Sequence, residues 1–173
     1  MVDVLRREFT HLKIHTQYSI CEGALRTKDL AKYCKENKVK AVGLCDSNNL
    51  CGALEFSESI AKSKTQPIIG TQINIKHKGE TGKIPLFAKD LQGYKNLIKL
   101  STKSFLEIKD NEEPHCKIED IVVNSEGLII FSGSFDGLIG KLFSKNLTDE
   151  IYSIFKNLKK NFKDNFYLEI QRH

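Results

Sequence analysis

The chain has 173 residues, of which 40% are hydrophobic and 28% charged, with a formal net charge of +5. That is enough apolar content for one ordinary core, and it excludes a largely disordered chain, a fibre or a repeat array. No stretch approaches the roughly 18 apolar residues of a membrane span, residues 127–131 being the longest comparable run, and residues 1–10 form no apolar leader, so a soluble, cytoplasmic protein is expected.

Short β-rich runs and helical patterns alternate along the chain without a linker or an internal repeat. Residues 9–14 read as a first strand. Thr27, with Asp29 in the first turn, is placed as the N-cap of a helix over residues 28–37. A strand over 41–45, a helix over 50–62 and strands over 66–75 and 84–88 follow. Helices are expected over 93–106, 118–123 and 137–143, with a strand over 127–132 before the last of these. Thr148, Asp149 and Glu150 signal the start of a helix over 149–161, and residues 166–170 read as a sixth strand. Such alternation predicts a mainly parallel sheet or barrel.

The five cysteines are odd in number and contain no C-x-x-C pair, so a disulfide scaffold is not expected. Cys34, Cys45 and Cys51 read as small buried residues without a catalytic role. Of the basic residues, 23 are Lys and only Arg6, Arg7, Arg26 and Arg172 are Arg. The lysines are scattered on helix faces without interleaved aromatics, the pattern of a solvated surface rather than a phosphate-binding stripe.

Several polar residues fall at strand ends: His15 after the first strand, Asp46 after the second, Ser134 after the fifth and His173 after the sixth, with Gln72 inside the third. In a parallel α/β barrel those ends converge on one face, which predicts a pocket there. For Asp46–Asn49 the alternative is a turn that caps the next helix.

Six ordered motifs carry a family resemblance. They are His11 through Ser19 with Glu22-Gly23, Leu44 through Gly52, Pro67 through Gln72, Phe87 through Leu97, Phe131-Ser-Gly133, and Phe166 through His173. Together they resemble the N-terminal PHP domain of the bacterial DNA polymerase III alpha subunit, over essentially the whole chain. The resemblance implies a single domain over residues 1–173 with a distorted (β/α)₇ barrel, here with about six strands and incomplete at the C-terminus. Open sheet edges are then expected at residues 9–14 and 166–170, with a groove between them.

Metal-dependent members of that family gather ligands around up to three ions for phosphoester hydrolysis, the ions neutralising phosphate charge and activating water. Carried over by position, the resemblance leaves His15, Glu22, Asp46 and His173 as remnants of the metal site. Lys13, Ser47, Gln72, Lys83 and Ser134 stand where other ligands are expected. A protonated lysine has no lone pair for a metal. Lys13 and Lys83 are expected to pair with Glu22 or Asp46 in place of the ions, the alternative being that both point to solvent.

The resemblance therefore implies a non-catalytic structural and docking module with no metal or other cofactor of its own. The parent family is a DNA-directed DNA polymerase, a nucleotidyltransferase of DNA replication that uses magnesium in its palm region. Its implied partners are the remainder of the alpha subunit and the 3′→5′ proofreading exonuclease subunit, with DNA reached only through the holoenzyme and no membrane. The competing functions are a metal-dependent PHP phosphoesterase or proofreading nuclease, and a free-standing nucleic-acid-binding module.

Overall fold

Apolar residues recurring at three- and four-residue steps set the helices, and the computed structural model describes residues 9–170. In α1 (Thr27–Glu36) the buried residues are Thr27, Leu30 and Cys34; in α2 (Ala53–Lys62) they are Ala53, Phe56 and Ile60. α3 (Leu91–Leu106) is capped by Asp90, whose side chain accepts from the Gly93 amide at 2.9 Å. α4 (Ile118–Val123) and α5 (Leu138–Ser144) are short, and α6 (Thr148–Phe162) buries Ile154, Leu158 and Phe162 at four-residue steps.

The expected cap at Thr27 is not made. Arg26 holds the cap position, and the buried Thr27 hydroxyl has no hydrogen-bond partner among the described residues. At α6 the start signal is placed correctly, with Asp149 and Glu150 in the first turn, where they favour the positive end of the helix dipole. Cys34, Cys45 and Cys116 are buried, but Cys51 is exposed. It lies in the turn ahead of α2, where its amide donates to Asn49 Oδ1 at 3.0 Å.

Five strands form one sheet in the order β1 (Ala41–Ser47), β2 (Gln66–His77), β3 (Glu80–Ala88), β4 (Leu128–Phe131) and β5 (Phe166–Tyr167). β1–β2 and β4–β5 are parallel, whereas β2–β3 and β3–β4 are antiparallel. The expectation of a mainly parallel sheet is thus corrected. Its cause is the two-residue turn Lys78-Gly79, with φ of 51° and 81°, whose left-handed residues let β2 fold straight back as a hairpin.

The expected first strand runs beside β1 and forms one bridge, Ile14↔Leu44, with Gly43 N donating to His11 O and Cys45 N to Ile14 O at 2.8 Å each. The expected last strand is confined to the two residues of β5. The sheet stays unclosed. Its edges approach through Lys13 and Glu169, with Nζ 2.9 Å from Oε1, and no backbone hydrogen bond joins them among the described residues.

Alternation along the strands divides the sheet into two faces. Ile73, Ile75, Ile84, Leu86, Leu128 and Ile130 pack under α3, α4, α5 and α6, and a second cluster joins Val42 and Leu44 of β1 to α1 and α2. The other face is concave. Its apolar end holds Leu12, Ile68, Phe87, Ile129, Phe131 and Tyr167 around a groove of about 470 Å³. Gly70 faces Phe87 across the ladder, where an added Cβ would sit 2.3 Å from the ring, so this glycine makes room for the aromatic. No described helix is long and apolar enough to cross a membrane.

Candidate functional site

The polar end of the concave face follows from strand register. Ser47 lies opposite Gln72, and Lys83 opposite Asn74 two residues further along β2, so three neighbouring strands bring Ser47, Gln72 and Lys83 close together on one face. The segment beside β1 adds Lys13 and His15, and the loop after β4 adds Ser134. Lys13, His15, Gln72, Lys83 and Ser134 line one cavity of about 200 Å³ with Asp136 and Gly137. Of the residues expected in the pocket, His15, Gln72 and Ser134 meet in this cavity although β3 runs antiparallel, whereas Asp46 does not line it. His173 lies outside the described residues.

At the mouth of this cavity Lys83 Nζ donates to Glu22 Oε1 and, at 3.2 Å, to Ser47 Oγ. Ser47 Oγ donates to Glu22 Oε2 and accepts from Gln72 Nε2 at 2.9 Å. Desolvation alone would raise the Glu22 carboxyl, but the hydrogen bonds from Lys83 and Ser47 outweigh it and hold the carboxyl below its ordinary range. His15 is pushed down from its ordinary value, first by burial and further by Lys13 and Lys83, against opposing pulls from Glu22 and Asp46. The balance favours the neutral imidazole. Its Nδ1 lies 3.4 Å from Ser19 Oγ.

Asp46 is fully buried and paired with neither lysine. Its Oδ1 accepts from Thr16 N and Ser19 Oγ, both at 2.6 Å, and its Oδ2 accepts from Thr16 Oγ1 at 2.8 Å. Three donors thus satisfy the carboxylate and anchor the loop that carries Glu22. The expected lysine pairing is right for Lys83, which holds Glu22, and wrong for Lys13, which holds Glu169. Neither lysine points free into solvent, their side chains being 24% and 32% exposed. The capping alternative is not met: Asn49 Oδ1 accepts from the Cys51 amide in the turn ahead of α2, Gly52 holds the cap position of that helix without a side-chain cap, and Asp46 takes no part in the turn.

Thr16, Ser19 and Glu169 are the site residues that sequence reasoning missed. A trace of the first two was present, as hydroxyls three apart directly after His15. Glu169 carried no such signal, because its partner lies 156 residues away.

This donor set does not fit a divalent cation. The oxygens of Glu22, Ser47 and Asp46 already accept N–H or O–H hydrogens, and an ammonium group occupies the space between Glu22 and Ser47. Among the described residues no group of three or more His, Cys, Asp or Glu is placed to hold an ion. The arrangement can fix loops through buried polar contacts.

The PHP domain family model matches residues 11–173. DNA polymerase III subunit alpha of Caulobacter vibrioides is 35% identical over the whole chain, that of Rickettsia bellii 37% identical over 98% of it and that of Borreliella burgdorferi 35% identical over 97%. The chain spans only 14–16% of the length of these relatives. Among solved structures, an amidohydrolase from Chromobacterium violaceum shares the fold with a TM-score of 0.53 at 12% identity, covering 91% of this chain and 75% of its own.

Proposed function

The chain belongs to the PHP domain family, and from that premise we propose that it is the PHP domain of a replicative DNA polymerase alpha subunit, serving DNA replication in the cytoplasm as a non-catalytic structural and docking module. One observation carries the non-catalytic part of this reading: Lys83 sits on Glu22 and Ser47, so a protein cation takes the place that a metal would need. A cluster of ions able to activate water and hold a phosphodiester requires an open, deprotonated set of ligands. Here the oxygens are committed to protein donors. Nucleotidyl transfer and its magnesium then belong to other parts of the subunit, and DNA is met only through the holoenzyme.

The partners of this reading are the remainder of the alpha subunit and the 3′→5′ proofreading exonuclease subunit. Metal content and hydrolysis test the first half. We expect no stoichiometric zinc or manganese after gel filtration and no cleavage of a generic phosphodiester. Retained metal together with hydrolysis that His15→Ala abolishes would overturn it and establish a PHP phosphoesterase or nuclease instead. Titration calorimetry tests the second half, where the absence of heat with either partner at tens of micromolar would remove the docking role.

A further inference from the structure

Resting on that docking reading, we propose that its docking surface is the cleft beside the polar cavity, and that the cleft takes a polypeptide segment carrying a lysine or arginine next to an apolar side chain. The cleft encloses about 600 Å³, and Glu22, Ser47 and Lys83 form part of its wall. Its lining includes Ile20, 84% exposed, Phe105, 50% exposed, and Pro114.

Ile20 is held in place although it contacts solvent. The loop on which it rides is tied to Asp46 through Thr16 and Ser19 on one side and to Lys83 through Glu22 on the other. Backbone bonds from Glu22 N and Gly23 N to Ser19 O, at 3.0 and 2.8 Å, tighten it further. An apolar anchor ordered in advance lowers the entropic cost of binding. The converted metal site thereby acquires a use, since it braces the tip of a recognition loop.

Charge selects the occupant. Glu22 and Lys83 neutralise each other, whereas Lys141, which donates to the neutral Thr81 O at 2.6 Å, keeps its charge. Glu113 and Asp136 also line the cleft, and neither side chain makes an ion pair or hydrogen bond among the described residues. Against the single charge of Lys141, these two carboxylates leave the cleft wall with an excess of one negative charge, which disfavours a phosphate backbone and favours a basic side chain.

The test is amide chemical-shift mapping of the ¹⁵N-labelled chain, titrated with the proofreading exonuclease subunit from the same genome, beside the double variant Glu113→Lys, Asp136→Lys. The proposal expects shifts centred on Ile20, Phe105, Glu113 and Asp136, and affinity lowered about tenfold or more in the variant. Both substituted residues lie on the surface, so folding is retained, and the mapping on the unaltered chain decides the matter without any variant. Shifts confined to other surfaces, with the variant binding equally well, would overturn the cleft and leave the docking reading standing. No shifts at tens of micromolar would overturn both. A single-stranded DNA oligonucleotide that shifts the same four residues would overturn the polypeptide assignment.

Discussion

The two ends of the concave face are built on the same strands and treat exposure in opposite ways. At the polar end Asp46 receives three hydrogen bonds and Glu22 is held by Lys83 and Ser47, so the converging charges find partners within the chain. At the apolar end Ile68, Phe87, Ile129, Phe131 and Tyr167 line a groove of about 470 Å³ that the described residues leave uncovered. Range explains the difference. A withdrawn charge is satisfied by a few well-placed groups, whereas apolar surface gains only about 25 cal/mol per Å² and needs another layer over it.

If that contrast holds, the largest loss on substitution belongs to the apolar end. Phe87 is 1% exposed, lies over Gly70 and has its ring centroid 5.0 Å from that of Phe131. Phe87→Ala is expected to lower unfolding stability by about 3–5 kcal/mol, read from urea midpoints. A loss below about 1 kcal/mol would mean that the groove is not continuous with a packed core.

Asp46→Ala comes next, at about 3 kcal/mol, because it strands the Thr16 amide and two hydroxyls that now donate to a charge. Asp46→Asn should recover less than half of the loss, since its amide presents hydrogens to hydrogens at one of the two positions. Full recovery in chemical denaturation would show that the charge itself contributes little.

The Glu22–Lys83 pair is more exposed, and Lys83→Met should cost less than about 1 kcal/mol. Its pH signature is sharper than its stability. The Glu22 carboxyl is depressed in the fold, so its contribution is present above the unfolded carboxyl value near about 4.3 and is lost as pH falls through the lower folded value. Carbon-detected titration should place Glu22 below that ordinary value, and the Lys83→Met chain should move it upward. An unmoved titration would break the assignment of Lys83 as the compensating cation.

The smallest effect concerns the thiols, whose modification reports burial at either end without perturbing it. Cys21 and Cys51 are exposed and should react with a thiol reagent in the native state. Burial pushes Cys116 up to about 12 and raises Cys34 and Cys45 as well, so those three should react only on unfolding. Native-state modification of Cys45, which lies inside β1, would contradict the packing of the concave face.

The amino-acid sequence alone determined the features that depend on near neighbours. The spacing predicts a helix over residues 118–123, the bounds of α4, and the other helices lie within three residues of their expected limits, because apolar spacing and first-turn acids act over one or two turns. It also determined which side chains stand where the family resemblance expects ligands, Lys13, Ser47, Gln72, Lys83 and Ser134, since chemical identity needs no fold. The antiparallel return at Lys78-Gly79 was within reach of the same reasoning but lay in two backbone dihedrals that strand periodicity does not register. Only the tertiary structure decided that Lys13 meets Glu169, that Asp46 is held by Thr16 and Ser19, and that Lys83 closes on Glu22. Those contacts span 27 to 156 residues, and a charge in a chain can choose among many partners until packing has fixed which one it can reach.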